Sequence, residues 1–238
     1  MHKHLAGQHN QQSHAGKNLG GLYTVESVAD ALNVMLKTSK HASIIGDVAR
    51  VELSPDSLLG VPGVSVPRPI FKVDFSKVNV KFSISPNQNS GFGSVMPEIE
   101  YNPGRPPNVT GEIAADIATD IAKALGLGYV TIHSSHLPIE TLVKDDYIMR
   151  GQAVQEVIDN KASFMSFVSG FTRTATEAIR RRKPDMLDGL IQKHISDQIA
   201  NFVKIADKDF IHIDKAPLIV TYGITNRRIN GLVYKKIT

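Results

Sequence analysis

Residues 110–126 read TGEIAADIATDIAKALG, and they carry a strong α-helix signal. The isoleucines and alanines recur every three or four positions, which places them along one side of a helix. Thr110 suits the N-cap, where a hydroxyl accepts a hydrogen bond from a free backbone N–H, and Gly126 suits the C-terminal end. The pattern predicts one amphipathic helix whose charged residues lie opposite an Ile/Ala stripe.

Strand and loop signals come before this helix. Residues 44–101 contain six prolines and short alternating runs of apolar residues. In residues 71–75 the apolar positions are odd-numbered, whereas in residues 78–84 they are even-numbered, so the alternation slips at Ser76-Lys77. Such a slip is typical of a tight turn or a β-bulge, and we expect two strands with a break there.

Further helix and strand patterns complete the outline. A first helix is expected from an N-cap at Thr24 to Leu36, and another after Pro138. A long helix from Gly151 to Lys183, ended by Pro184, and a second from Met186 to Ala206 are predicted to form an antiparallel hairpin. The remaining predicted strands are Ile99–Tyr101, Tyr129–His133, Phe210–Ile213, Pro217–Ile224 and Gly231–Ile237, with a β-hairpin near Asn226.

The order of these elements predicts an α+β fold. Strands from both ends of the chain form a mixed or antiparallel sheet, with a central set of amphipathic helices that includes the long helical hairpin. The expected segments are a flexible His-rich arm (1–21), a short helix with a β-rich region (22–101), a linker rich in proline (102–109), and an α+β region with the helical hairpin and a C-terminal β-hairpin (110–238).

Composition limits the class of protein. With 238 residues and 42% hydrophobic content, the chain is long and apolar enough to bury a core. It has no cysteine, which excludes disulfides and cysteine nucleophiles or metal ligands. The net charge of +4 is mild and does not by itself call for nucleic acid. No apolar run has the length of a membrane span and no signal peptide is recognisable, so we expect assembly in the cytoplasm without a membrane partner.

Three carboxylates share one side of the predicted central helix. Glu112, Asp116 and Asp120 lie four residues apart, so they form one row. Such a row can bind a metal ion or place a general acid beside a base. A solvated helix face is the alternative, and it is the more common origin of this pattern.

His133 and His136 follow the predicted strand Tyr129–His133, at a place where loops over a sheet often carry catalytic groups. With Ser134 or Ser135 and the carboxylate row, they form the one constellation from which a hydrolase can be argued. The H-x-x-H spacing differs from the H-E-x-x-H zinc motif, and the chain has no G-x-S-x-G elbow, Walker A or G-x-G-x-x-G loop. We expect loop histidines with ordinary hydrogen-bond partners, and we predict no catalytic residue and no cofactor.

Basic residues cluster at two places. The first cluster ends the long predicted helix and consists of Arg180, Arg181, Arg182 and Lys183. Positive charge is favourable beside a helix C-terminus, and contact with phosphate or with an acidic partner is the alternative. The second cluster flanks the predicted C-terminal hairpin and consists of Arg227, Arg228, Lys235 and Lys236. Together they make DNA a candidate partner.

The N-terminal segment MHKHLAGQHNQQSHAG holds four of the nine histidines and no acidic residue. His4, His9 and His14 recur every five residues. A five-residue step turns a helix by about 500°, so these side chains do not share one helix face. A preformed zinc site is therefore disfavoured, also because Cys and carboxylate ligands are missing from the segment. We predict a polar arm that becomes ordered against a partner.

The same segment resembles a motif of tailed bacteriophages. Its residues Lys3-His4-Leu5-Ala6-Gly7-Gln8-His9-Asn10-Gln11-Gln12-Ser13-His14 are similar to the pattern K-H-L-x-G-x-H-N/D-Q-x-S/T-H. That pattern recurs in structural and head-maturation proteins, including minor head proteins of the Mu F type. Because the motif stands on otherwise unrelated chains, the resemblance implies a virion setting more than a fold or a chemistry.

The expected function is a structural component of a tailed-phage virion, in the head or at the head-to-tail connection, assembled in the host cytoplasm. It would act without catalysis, through a symmetric homo-oligomer and contacts with other virion proteins, with packaged DNA as a further candidate partner. The rival is a phage-encoded accessory enzyme or toxin with a metal- or His-dependent hydrolytic site around His133 and His136. The residues expected to contact partners are His4, His9, Gln11, His14, Arg180, Arg181 and Arg182.

Overall fold

Helices and strands occur in groups along the chain, of which the computed structural model describes residues 23–54, 69–86, 93–159, 161–213 and 231–238. The helices are α1 (Val25–Leu36), α2 (Ala42–Ile45), α3 (Gly111–Ala124), α4 (Ile139–Lys144), α5 (Gly151–Asp159), α6 (Lys161–Arg182) and α7 (Asp188–Ala206). The strands are β1 (Val48–Leu53), β2 (Phe71–Phe75), β3 (Lys81–Ser85), β4 (Ser94–Glu98), β5 (Tyr129–His133), β6 (Ile148–Arg150), β7 (Phe210–His212) and β8 (Leu232–Lys236).

These strands form one mixed sheet of eight strands in the order β1-β2-β3-β4-β5-β8-β6-β7. Neighbouring strands are antiparallel except β4 and β5, which run parallel. A parallel pair needs a crossover connection, and α3 is the helix that supplies it. Strands from both ends of the chain share this sheet, which confirms the predicted α+β class.

The caps of α3 and α1 are those that the sequence predicts. The Thr110 hydroxyl accepts a hydrogen bond from the N–H of Ile113, and Gly126 has a left-handed φ of 65°. At α1, the Thr24 side chain accepts from the N–H of Ser27, whose hydroxyl accepts from Thr24 in return. This reciprocal capping box fixes where α1 begins.

The described helices cover one face of the sheet. In β2, the buried residues Phe71, Val73 and Phe75 face the helices, whereas the half-buried residues Lys72 and Asp74 face away. One core lies between α1, α3 and strands β2 to β5, and a second lies between α4 to α7 and strands β5 to β8. The helix α3 contributes to both, because its Ala115 belongs to the second core and its Ile117 and Ile121 to the first.

The strands before α3 differ in part from their predicted bounds. The predicted break after residue 75 is present, but β3 begins only at Lys81, although Val78 and Val80 are buried ahead of it. The strand predicted at Ile99–Tyr101 is wrong, because the returning strand is β4 and ends at Glu98. It includes Pro97, which lies beyond the last residue pair between β4 and β5, so the missing N–H removes no bond from that ladder.

The long helix predicted from Gly151 is instead two helices, α5 and α6. A straight helix of that length would extend about 48 Å, whereas the division lets both parts pack against α7. The helices α6 and α7 form the predicted helical hairpin. The strand predicted at Pro217–Ile224 and the hairpin near Asn226 lie outside the described residues. No described helix combines the length and the apolar character that crossing a bilayer requires.

Candidate functional site

The two histidines singled out by their spacing lie in one turn after β5. His133 is the last residue of β5, and His136 ends a short 3₁₀ turn, Ser134–His136. Their ring centroids are 5.8 Å apart in an edge-on arrangement. The Ser135 hydroxyl lies 2.7 Å from Nδ1 of His133, and this hydrogen bond closes the turn. The structure therefore brings together the histidines and the serine on which a hydrolase would depend.

Two glycines hold this turn in place by close contact. A Cβ atom on Gly111 would lie 1.9 Å from the carbonyl oxygen of His136, and one on Gly231 would lie 2.3 Å from Cε1 and Nε2 of the His133 ring. Ser134 is buried, and its N–H donates to the carbonyl of Gly231. Because only glycine permits such an approach, the turn is clamped between the start of α3 and the residue before β8.

The three carboxylates on α3 bind two different parts of the fold, α4 and the segment between α1 and α2. Glu112 accepts a hydrogen bond from the Thr141 hydroxyl at 2.7 Å, and Asp120 accepts one from the Ser39 hydroxyl at 2.5 Å. Within the described ranges, no three His, Asp or Glu side chains are grouped as metal ligands. The row predicted from the sequence is present, but its members connect elements of the fold instead of meeting at one centre.

Asp116 is the member of the row that lies beside two basic side chains. Its Oδ2 lies 2.9 Å from Nζ of Lys40 and 3.3 Å from Nε2 of His41. Partial burial raises the pKa of the Asp116 carboxyl, but the hydrogen bonds from Lys40 and His41 outweigh it and leave that pKa below its ordinary value. The bond to Asp116 in turn raises the pKa of Lys40. A carboxylate held ionised in this way is poorly suited to proton transfer near neutral pH.

The sequence patterns did not predict one cluster of polar side chains. On the sheet face away from the helices, Lys72, Ser83 and Glu98 from three adjacent strands are hydrogen-bonded to one another, with Nζ of Lys72 2.7 Å from Oγ of Ser83. Burial raises the pKa of Glu98, but the bonds from Lys72 and Ser83 lower it below its ordinary value. The Glu98 carboxylate accepts from both Lys72 and Ser83, so the three side chains bond to one another across the strands. The cluster is therefore an ion pair that joins strands.

The basic cluster at the end of α6 is exposed. Arg180 lies 3.8 Å from Asp188 at the start of α7, and Arg181 is exposed beside it. Arg182 and Lys183 line a groove of about 380 Å³ between α6 and α7. The C-terminal end of α6 and the residue after it therefore present positive charge at the tip of the helical hairpin.

The second basic cluster is only partly described. Lys235 does not present a free cation, because its Nζ lies 2.7 Å from Oδ2 of Asp145 and 5.8 Å from the ring centroid of buried Tyr147. Burial, followed by the charges of Asp145 and Asp116, raises the pKa of Tyr147. Lys236 is exposed. The arm residues and the two arginines of the predicted C-terminal hairpin lie outside the described residues; these are His4, His9, Gln11, His14, Arg227 and Arg228.

Comparison of the chain with protein-family models, curated proteins and solved structures finds no match.

Proposed function

We propose that the chain is a non-enzymatic structural component of a tailed-phage virion, located in the head or at the head-to-tail connection. The observation that carries this proposal is the N-terminal motif, in which residues 3–14 agree with each fixed position of the phage pattern. In this proposal the arm lies across a neighbouring subunit or virion protein, where its histidines and amides make hydrogen bonds that water would otherwise satisfy.

The contacts of the candidate chemical residues support a structural role. Asp116 and Asp120 connect α3 to the segment between α1 and α2, and Glu112 connects it to α4. His133 and His136 belong to a turn clamped by two glycines. These contacts give the three carboxylates and His133 roles in holding the fold together, which supports a non-enzymatic function.

The helical hairpin supports a role in protein contacts. The helix α6 has 22 residues and is about 33 Å long, and α7 has 19 residues. Large apolar side chains stay exposed on both helices and between them; these are Met165, Leu187, Leu190 and Val203. Met165 and Val203 lie toward the base of the hairpin, and Leu187 and Leu190 lie at its tip, so both ends offer apolar contacts to another protein.

The proposal is tested by following the chain into particles. Wild-type protein is expected among the proteins of purified virions, in a fixed number of copies per particle. A variant with His4→Ala, His9→Ala and His14→Ala should fold and melt like the wild type yet be depleted from particles. The matched control is Gln8→Ala with Gln12→Ala, at two variable positions of the motif, and it should be incorporated normally. Absence of the wild-type chain from purified virions, or normal incorporation of the triple variant, would contradict the proposal.

A further inference from the structure

The groove between α6 and α7 has an apolar floor. The helix α6 contributes Ala175, Ala178 and Ile179, which are three or four residues apart and so lie on one side of it, and Met186 closes the floor from the connection. The alanine side chains are small, so they leave space between the helices where larger residues would fill it. Along the axis of α6, the lining residues from Thr174 to Lys183 extend over about 14 Å. A groove of this length can hold more than one side chain.

The mouth of the groove is basic. Arg182, Lys183 and His194 line it. None of these three has an ion-pair partner among the described residues, in contrast to Arg180, which pairs with Asp188. Of the described residues that line the groove, none is acidic. The positive charge at this mouth is therefore left uncompensated beside an apolar surface.

The wall formed by α7 extends the apolar surface toward the hairpin tip. Leu190 lies four residues before His194, so it is on the same side of α7, and it is 51% exposed. An occupant of the groove would therefore meet a further apolar contact beyond the basic mouth.

We propose that this groove binds an acidic peptide segment of a partner protein, which inserts large apolar side chains between α6 and α7. Charge complementarity selects an acidic occupant, and the apolar floor selects one that buries side chains. The phosphate backbone of DNA offers no apolar group for that floor. The chain's own residues 1–22 contain no Asp or Glu, so they do not match the mouth. The proposal concerns the chemistry of a partner and holds independently of the virion setting.

The probes are three fluorescein-labelled amphipathic peptides of about four helical turns. The first carries leucines on one side and Asp and Glu on the other, the second replaces the acids by Asn and Gln, and the third replaces the leucines by serine. Fluorescence anisotropy with the full chain should show the acidic leucine peptide binding at least about tenfold tighter than either control. Its affinity should fall between about 50 and about 300 mM NaCl, because added salt screens the charges.

Variants of the chain locate the site. Arg182→Glu with Lys183→Glu should weaken binding of the acidic leucine peptide at least about tenfold. Ala178→Trp fills the groove at an exposed position without altering charge, and it should weaken binding likewise. The matched control is Lys161→Glu with Lys204→Glu, which makes the same charge change at exposed positions at the opposite ends of the two helices and should leave binding unchanged.

Four results would contradict the proposal that the groove binds an acidic peptide. The proposal is overturned if the acidic leucine peptide does not bind, or if Ala178→Trp leaves its affinity unaltered. It is also overturned if a DNA duplex binds the mouth in preference, or if the wild-type chain forms a dimer in sedimentation that the Arg182→Glu, Lys183→Glu variant loses, since the occupant is then a second copy. Absence of the chain from virions would contradict the virion proposal alone.

Discussion

Oδ2 of Asp116 lies 2.9 Å from Nζ of Lys40, and this ion pair connects α3 to the segment between α1 and α2. His41 adds a contact to the same oxygen at 3.3 Å, and one turn later Asp120 accepts a hydrogen bond from Ser39. Three consecutive residues, Ser39 to His41, thus face two carboxylates of one helix. The carboxylate row anchors the N-terminal helices to the helix that crosses between β4 and β5.

We expect Asp116→Asn to lower the free energy of unfolding by about 0.5–1 kcal/mol at pH 7, a modest value because the Asp116 side chain is 43% exposed and solvent screens the pair. The folded-state pKa of this carboxyl lies below its ordinary value, so its stabilisation is present above the unfolded pKa and is lost as the pH falls through the folded one. The difference from wild type in urea unfolding should therefore shrink between about pH 5 and about pH 2.

Asp197→Asn is the matched control. Asp197 pairs with Lys193 at 2.8 Å, four residues earlier on α7, and both side chains are exposed. Removing this pair should change the unfolding free energy by no more than about 0.5 kcal/mol. An Asp116→Asn effect that stays the same at pH 7 and at the acidic end would show that the carboxylate charge is not the cause.

Gly111→Ala is expected to destabilise the fold by about 1–3 kcal/mol, the usual cost of forcing extra atoms into a packed site. Alanine favours a helix over glycine by about 1 kcal/mol, but here its Cβ would lie 1.9 Å from the carbonyl oxygen of His136. Gly189→Ala is the control, because a Cβ at that helical position meets nothing within 4 Å. It should leave stability unchanged or raise it by up to about 1 kcal/mol. Thermal unfolding of both variants tests this prediction. Equal changes in melting temperature for Gly111→Ala and Gly189→Ala would exclude the clash.

The helices were predictable because their signals are local. Thr110, Gly126 and the Ile/Ala stripe between them lie within 17 residues, and caps and periodicity act over that range. The bounds of β4 were not predictable, because they depend on which strands lie beside it. Its parallel pairing with β5 involves only Ser94 and Val95, so Pro97 lies beyond that pairing and its missing N–H costs no hydrogen bond there. From the sequence alone, a proline at this position argues against a strand.

The sequence predicted only those features of the candidate site that lie within a single helix or loop. The four-residue spacing places Glu112, Asp116 and Asp120 in a row, but the partners of Asp116 come from residues 76 and 75 positions away. The cluster of Lys72, Ser83 and Glu98 depends on the register of three strands, which no periodicity in the sequence specifies. The partners of these polar residues therefore depend on contacts between segments that are distant in the sequence.

Lys72→Met should destabilise the fold by about 1–3 kcal/mol, because it leaves the Glu98 carboxylate partly buried without its cation. Glu98→Gln should cost less, and the double variant should recover part of the loss. Urea unfolding of the four proteins in a double-mutant cycle should give a coupling energy of about 1 kcal/mol or more. Lys193→Met is the control, because that lysine pairs with Asp197 at 2.8 Å and both side chains are exposed, so only a few tenths of a kcal/mol are expected. Additive effects of the Lys72 and Glu98 changes would contradict the ion pair.

The packing of His133 against Gly231 gives a test that separates a structural histidine from a reactive one. Gly231→Ala should destabilise the fold by about 1–3 kcal/mol, because the new Cβ would lie 2.3 Å from the imidazole ring. His133→Ala removes both that ring and the hydrogen bond with Ser135, for a loss of about 1 kcal/mol. In the His133→Ala background, Gly231→Ala has no ring to displace and should cost much less. A histidine held by packing predicts this strong coupling in chemical unfolding. Additive losses would mean that the ring does not lie against Gly231, and the clamped turn would no longer account for His133.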